Sequence, residues 1–187
     1  MLLPIVHYND PILRKTGAKV DVFDAALRAL ARDMIETMRA APGIGLAAQQ
    51  VGKAMQLCVV DVSRADDGFD WELDGNHPPL ELIMPMVIVN PEVVVHPVEK
   101  ETIDEGCLSF PGIRGDVARR DAITAKYKDA DGVPHELVCN GMFARCVQHE
   151  VDHLNGVLFI DRMSKKARAP IEKKIRELAA RTGGGKA

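Results

Sequence analysis

Apolar residues recur at helical spacing after Asp24, where Leu27, Leu30, Met34 and Met38 form one stripe among polar and charged neighbours. Asp24 stands at the N-cap position and Pro42-Gly43 breaks the pattern, so the spacing predicts a helix from Asp24 through about Ala40. A glycine-rich stretch from Gly43 to Gly52 follows, and the pattern then changes to short apolar runs. Strands are expected at 55–62, 82–90, 93–102, 123–127 and 133–138, with Asp129-Ala130-Asp131-Gly132 as the hairpin turn before the last. Residues 63–79 are polar and hold Asp66-Asp67-Gly68 and His77-Pro78-Pro79. They read as an extended surface loop with His77 in solvent. Asn140 as N-cap and Asn155-Gly156 as terminator bound a second helix. After the short apolar run 157–160, Pro170 can start a terminal helix, and the glycine-rich end 182–187 is expected to fray. Strands in the middle with helices at the ends argue for an α+β fold rather than alternating βαβ units.

A chain of 187 residues fits one domain, 1–187, within which 165–187 would be a C-terminal helix and frayed tail. Residues 1–10 include Pro4, His7 and Asp10 and lack a basic start and a long apolar stretch, so no signal peptide is expected. No segment reaches the length of a membrane span. Cys58, Cys107, Cys139 and Cys146 show no disulfide-like or C-x-x-C spacing, which favours a reducing cytoplasm, and Cys58 and Cys139 read as small buried hydrophobes. The net charge of −3 is unevenly spread. From Arg162 onward, lysines and arginines face only Glu172 and Glu177, so the tail is basic and the body acidic.

The run Gln148-His149-Glu150-Val151-Asp152-His153 changes the picture from fold to chemistry. On a helix His149 and His153 lie on one face, so both imidazoles can reach one ion. Glu150, turned by about 100° on the helical wheel, can face the open side of that ion rather than bind it. Met142, Cys146, His149, Glu150 and His153 share a face, and Ala144, Gln148, Asp152 and Asn155 the opposite one. Two histidines and a carboxylate on an apolar face are costly without a partner, and a metal satisfies all three. A catalytic site of this type needs a third ligand and an open position. Cys107, in Glu105-Gly106-Cys107-Leu108-Ser109 before the Pro111-Gly112 turn, is one candidate. Glu172, downstream on the predicted terminal helix, is the other and resembles the downstream glutamate of thermolysin-like metalloproteases. Spacing alone does not choose.

Gly43-Ile44-Gly45-Leu46-Ala47-Ala48-Gln49-Gln50, Glu105-Gly106-Cys107-Leu108-Ser109 and Gln148-His149-Glu150-Val151-Asp152-His153 match, in order and separation, the three signature motifs of peptide deformylases. The chain resembles that family over nearly its whole length, starting from His7 and Asp10-Pro11-Ile12-Leu13-Arg14. The resemblance implies mixed or antiparallel sheets packed around a central metal-binding helix, with a C-terminal helix. It implies a cytoplasmic, monomeric hydrolase that removes the N-formyl group from the formyl-methionine of newly synthesised polypeptides and releases formate. Cys107, His149 and His153 would hold one ferrous ion, for which zinc, nickel or cobalt can substitute.

Within that resemblance, Glu150 takes a proton from the attacking water and delivers it to the leaving amine, while the Gln50 amide and the Leu108 N–H stabilise the oxyanion. Ile44 and Gly45 pair with the extended substrate as an added strand, with Gly43 also allowing close approach. Ile44, Ile103, Met142 and Cys146 wall the pocket for the methionine side chain. Arg145 borders its mouth, reaching pocket or solvent, and Arg114 contacts the peptide. Two rivals remain: a zinc endopeptidase using His149, His153 and Glu172, and a closed structural zinc site of Cys107, His149 and His153, against which the adjacent base Glu150 speaks. The basic C-terminal helix, with Arg168, Lys173, Lys174, Arg176 and Arg181 facing out and Ile171, Ile175 and Leu178 docking it, suggests binding to ribosomal RNA near the nascent chain. No membrane partner is expected.

Overall fold

A computed structural model describes residues 1–65 and 68–183. The first long helix, α1 (Ala25–Ala40), starts where its cap predicts, the Asp24 side chain accepting the Leu27 N–H at 2.9 Å. Leu27, Met34 and Met38 are buried against Leu46, Leu57 and Val59. That apolar stripe lays the helix on a sheet whose strands are β1 (Gly45–Ala47), β2 (Leu57–Val60), β3 (Trp71–Leu73), β4 (Met86–Val95), β7 (Ala122–Lys128) and β8 (Pro134–Asn140). Their order is β1-β2-β4-β7-β8-β3 and every neighbouring pair is antiparallel. The remaining strands, β5 (Lys100–Gly106) and β6 (Arg114–Arg120), form a separate antiparallel ribbon.

Strand boundaries depart from the apolar pattern in several places. The expected strands 82–90 and 93–102 share one strand, β4, which continues through a register shift between Val89 and Glu92. Pro91 has no N–H for the ladder, and Asn90, at φ 51, uses its side chain to clasp the Val20 backbone N–H and C=O at 2.8 Å each. Leu82 and Ile83 belong to a short helix, α2 (Leu80–Ile83), and residues 100–102 to β5 in the other sheet. Within the expected loop 63–79, β3 pairs with the edge of β8, and the Trp71 indole N–H donates to Pro78 O at 3.1 Å. His77 is exposed as expected, while Asp66 and Asp67 lie outside the described residues. The strand β6 was not expected, because among its residues only Val117 and Arg119 are buried.

Helix α3 (Gly141–Leu154) lies centrally and touches β1, β2, β7 and β8. It is buried on several sides, with Phe143, Ala144, Val147 and Leu154 in the core and Asp152 buried on the face opposite the histidines. Asn140 occupies the N-cap position but its side chain bonds Asp70 instead, accepting the Asp70 N–H at 2.6 Å. Gly156, at φ 71, turns the chain away from the helix end, where a Cβ would overlap the Arg14 carbonyl. The run 157–160 leads into α4 (Phe159–Arg162), then α5 (Lys165–Arg168), a 3-10 turn at Ala169–Ile171 carrying Pro170, and α6 (Glu172–Gly183). Ile175 and Leu178 dock α6 into a cluster with Leu13, Phe110, Ile113 and Phe159. Thr182 and Gly183 are still helical, while residues 184–187 of the expected frayed end lie outside the described residues. The architecture is α+β, and no helix among the described residues is long and apolar enough to cross a membrane.

Candidate active site

Two elements with no sequence proximity meet at the middle of α3. The ribbon strand β5 ends at Gly106, and Cys107 follows in a turn closed by the Phe110 N–H donating to Cys107 O at 2.9 Å. Its Sγ lies 3.2 Å from His153 Nε2, and one donor atom each from Cys107, His149 and His153 all fall within 4.8 Å of one another. The other candidate ligand, Glu172, is not in this group. It pairs with Arg168 on the C-terminal helix, at 2.7 Å.

The histidine ring is aimed by a largely enclosed carboxylate, its side chain 11% exposed. Glu105 Oε2 lies 3.2 Å from His149 Nδ1, which leaves Nε2 for the ligand cluster. The same carboxylate accepts from Arg119 at 2.7 and 3.0 Å and from Arg145 at 3.1 Å. Arg119 reaches on to Asp152 at 2.8 Å, and Arg162 closes the chain of charges from outside at 2.5 Å. Burial works against the charge on Glu105, but His149 and Arg119 outweigh it and hold the carboxyl down to about 2. Burial likewise opposes protonation of His149, yet its bonds to Cys107 and Glu105 raise its pKa well above the usual imidazole range. Burial, with the charges of His149 and Arg119, pushes His153 well below that range.

Beside this cluster, Glu150 is 4% exposed and burial pushes its carboxyl up to about 7, a range suited to proton transfer near neutrality. Gly45 makes room for it, since a Cβ there would overlap the Glu150 carboxylate. Gln50 faces the cluster with fixed polarity. Its Oε1 accepts the Ala47 N–H at 2.8 Å, so its Nε2 must point the other way, donating to Ser109 Oγ at 3.2 Å and reaching Cys107 Sγ at 3.4 Å.

All of the residues expected at the site except His153 line one cleft of about 690 Å3: Ile44, Gly45, Gln50, Ile103, Cys107, Leu108, Arg114, Met142, Cys146, His149 and Glu150. His153 sits beneath it, 1% exposed. β1 is an edge strand, so one side of its backbone faces this cleft. Ile44 O already accepts the Asp61 N–H at 2.8 Å, and alternate residues point opposite ways, which turns the Gly45 main-chain groups toward the open edge. Arg114 is at the mouth but engaged with Asp104, at 2.5 Å. Arg145 lines the cleft rather than reaching into solvent; it is 2% exposed and bonded to Glu105 and to the Glu101 carbonyl. Sequence reasoning gave no role to Glu105, Ser109, Arg119 or Asp152. The first two and Asp152 lie inside the signature motifs, whereas Arg119 carries no signal in a strand that reads as solvent-facing.

The donor set fits a borderline divalent metal: one thiol and two imidazoles, converging without a fourth protein ligand among the described residues. Glu150 Oε2 and His153 Nδ1 are buried with no hydrogen-bond partner among the described residues. The bonds to Cys107 and Glu105 that raise the His149 pKa favour positive charge at this place, a preference that a metal ion also meets.

The family model described as polypeptide deformylase matches residues 2–169, ending before α6. The peptide deformylase of Opitutus terrae is 61% identical over 183 residues, covering 96% of this chain and 94% of its own length. That of Zymomonas mobilis is 44% identical, covering 93% of each. Among solved structures, peptide deformylase 1B of Arabidopsis thaliana superposes with a TM-score of 0.85 at 34% identity, over 98% of this chain and 94% of that one. The Plasmodium falciparum peptide deformylase gives the same TM-score and identity, over 98% and 99%.

The depressed Glu105 pKa makes a stability prediction. A carboxylate held at about 2 instead of 4.5 contributes stability that is present above about pH 4.5 and lost as pH falls toward 2. The difference corresponds to about 3 kcal/mol. Glu105→Gln should therefore unfold at lower urea concentration at pH 7, with the gap to the unaltered protein closing as both are acidified to pH 2. A gap that is equally wide at pH 7 and pH 2 would show that the carboxylate charge is not what holds the cluster.

Proposed function

The chain belongs to the polypeptide deformylase family, and on that footing we propose that it removes the N-formyl group from the formyl-methionine of newly synthesised polypeptides, with Cys107, His149 and His153 holding one metal ion. The observation that carries this reading is the meeting of Cys107 with the two α3 histidines beside a buried Glu150. The zinc endopeptidase alternative needs Glu172, which is paired with Arg168 instead. A purely structural zinc site gives Glu150 no task.

The proposed ion is ferrous, with zinc, nickel or cobalt able to replace it; a thiolate with two imidazoles suits this group of metals. Bound there, it supplies Lewis acidity, making water acidic enough to attack near neutral pH. The protein's own groups do the rest. Glu150 accepts the proton of the attacking water and returns it to the departing amine, a role its raised pKa supports. Gln50, its amide fixed by Ala47, and the Leu108 N–H donate to the oxygen on which negative charge develops. Gly45 offers its outward main-chain groups to the extended substrate, which admits many sequences. The side chains of Ile44, Ile103, Met142 and Cys146 provide an apolar wall for the methionine side chain, and Arg114 is placed to contact the peptide.

The enzyme would act in the cytoplasm as a monomer, beside the ribosome. Support for ribosome contact rests on α6, whose apolar side is docked through Ile175 and Leu178. The structure narrows the available cations, because Arg168 and Lys173 pair with Glu172 and Glu177. Exposed Lys174 and Arg176 have no ion pair among the described residues and are the better candidates.

Four measurements test these assignments. Anaerobically purified protein should release formate from a formyl-Met peptide and leave an internally cleavable peptide intact. Cys107→Ala should lose both metal and activity, Glu172→Gln should keep both, and Glu150→Gln should keep the metal while turnover falls at least about a hundredfold; a metal-free Glu172→Gln with an active Cys107→Ala would reverse the assignment. The iron form should lose activity in air faster than a nickel-substituted form, through oxidation of iron or of Cys107, and equal lifetimes would count against ferrous iron. Lys174→Glu with Arg176→Glu should weaken co-sedimentation with ribosomes at low salt. Unchanged sedimentation across a salt series would reduce this face to a solvated surface.

A further inference from the structure

A second cavity, of about 410 Å3, lies next to the cleft. Val6, His7 and Asp10 form one side, Pro111 another, and Leu178 and Arg181 of α6 the third. His7 and Pro111 also line the 690 Å3 cleft, so the two cavities share a wall.

That wall is held in place by main-chain bonds on either side of His7: the Val6 N–H donates to Gln50 O at 2.8 Å and the Tyr8 N–H to Ser109 O at 2.9 Å. The N-terminal segment is thereby stitched to two of the residues that frame the reaction site. Across the cavity, Leu178 is buried in the core, and Arg181, three residues on along the same helix face, stands at the rim. Arg181 is exposed and has no ion pair among the described residues, in contrast to Arg14, Arg114 and Arg168, which pair with Asp161, Asp104 and Glu172. Asp10, the one acid among the described residues of the wall, accepts the Ile12 N–H at 3.0 Å as the cap of the next turn.

A cleft of this volume holds a ligand of drug size, roughly 300–1,000 Å3, so a longer polypeptide must leave it. We propose that the substrate's downstream segment crosses His7 and Pro111 into the second cavity, and that Arg181 there favours an acidic side chain. This rests on the deformylase reading. The cavity suits such a segment: Val6, Pro111 and Leu178 give an apolar floor, and the successive side chains of an extended chain point alternately into it and away.

The test uses seven-residue formyl-Met peptides carrying Glu or Lys at each of positions four to seven in turn, and a three-residue formyl-Met peptide too short to reach the second cavity. The full-length metal-loaded enzyme should show a Glu-over-Lys preference of about threefold at one or more positions, on the scale of a solvent-exposed ion pair, and the difference should lie in KM. Arg181→Ala should abolish the preference and Arg181→Glu should reverse it, each variant serving as its own control through the Glu/Lys ratio. Equal KM for the Glu and Lys peptides with the unaltered enzyme, or a preference that survives Arg181→Ala, would overturn the proposal. Failure to hydrolyse even the three-residue peptide would instead remove the deformylase reading, and this proposal with it.

Discussion

Glu105 sits where a ribbon strand meets the central helix, and its carboxylate takes hydrogen bonds from Arg119 on β6 and from Arg145 and His149 on α3. A charge so deep in the protein is costly unless every lone pair is answered, and here three side chains from two elements answer it. Each partner lost would leave this charge less fully matched, which favours one relative placement of β5, β6 and α3. Cys107 is two residues beyond Glu105 and His149 is bonded to it directly. The constraint that fixes the ribbon on the helix is therefore the same one that fixes the spacing of the ligand atoms.

A second constraint acts from the other side of the cleft. An amide side chain can present either its oxygen or its nitrogen, and the Ala47 N–H removes the choice for Gln50 by occupying the oxygen. Gly45, two residues before Ala47 on the same short strand, gives space to Glu150. A three-residue edge strand thus sets the polarity of one group and the position of another. The site is assembled by backbone geometry as much as by its named side chains.

Much of this was legible from the chain. The caps and apolar spacing of α1 placed that helix, and three motifs in order placed the cleft. What escaped depended on partners distant in sequence. β6 reads as polar because its buried charge, Arg119, is matched by Glu105 and Asp152 rather than by apolar neighbours. β3 is three residues long and exists only through the edge of β8. The face of α3 carrying Asp152 could not be known to be buried without knowing that Arg119 and Arg162 approach it. Asn140 has the right residue type for a helix cap, yet Asp70 competes for its side chain and wins.

The shortness of β1 has a further consequence, one of timing. An unpaired sheet edge ordinarily invites association with other chains, but three residues beginning at a glycine offer too little to hold anything except a single extended strand laid in the cleft. A helix, about 10–12 Å across with its main-chain groups already satisfied internally, has nothing to give that edge. If the substrate pairs with this edge as proposed, a polypeptide start that has already coiled or packed has no main-chain groups to offer it, and processing would precede folding of the new chain.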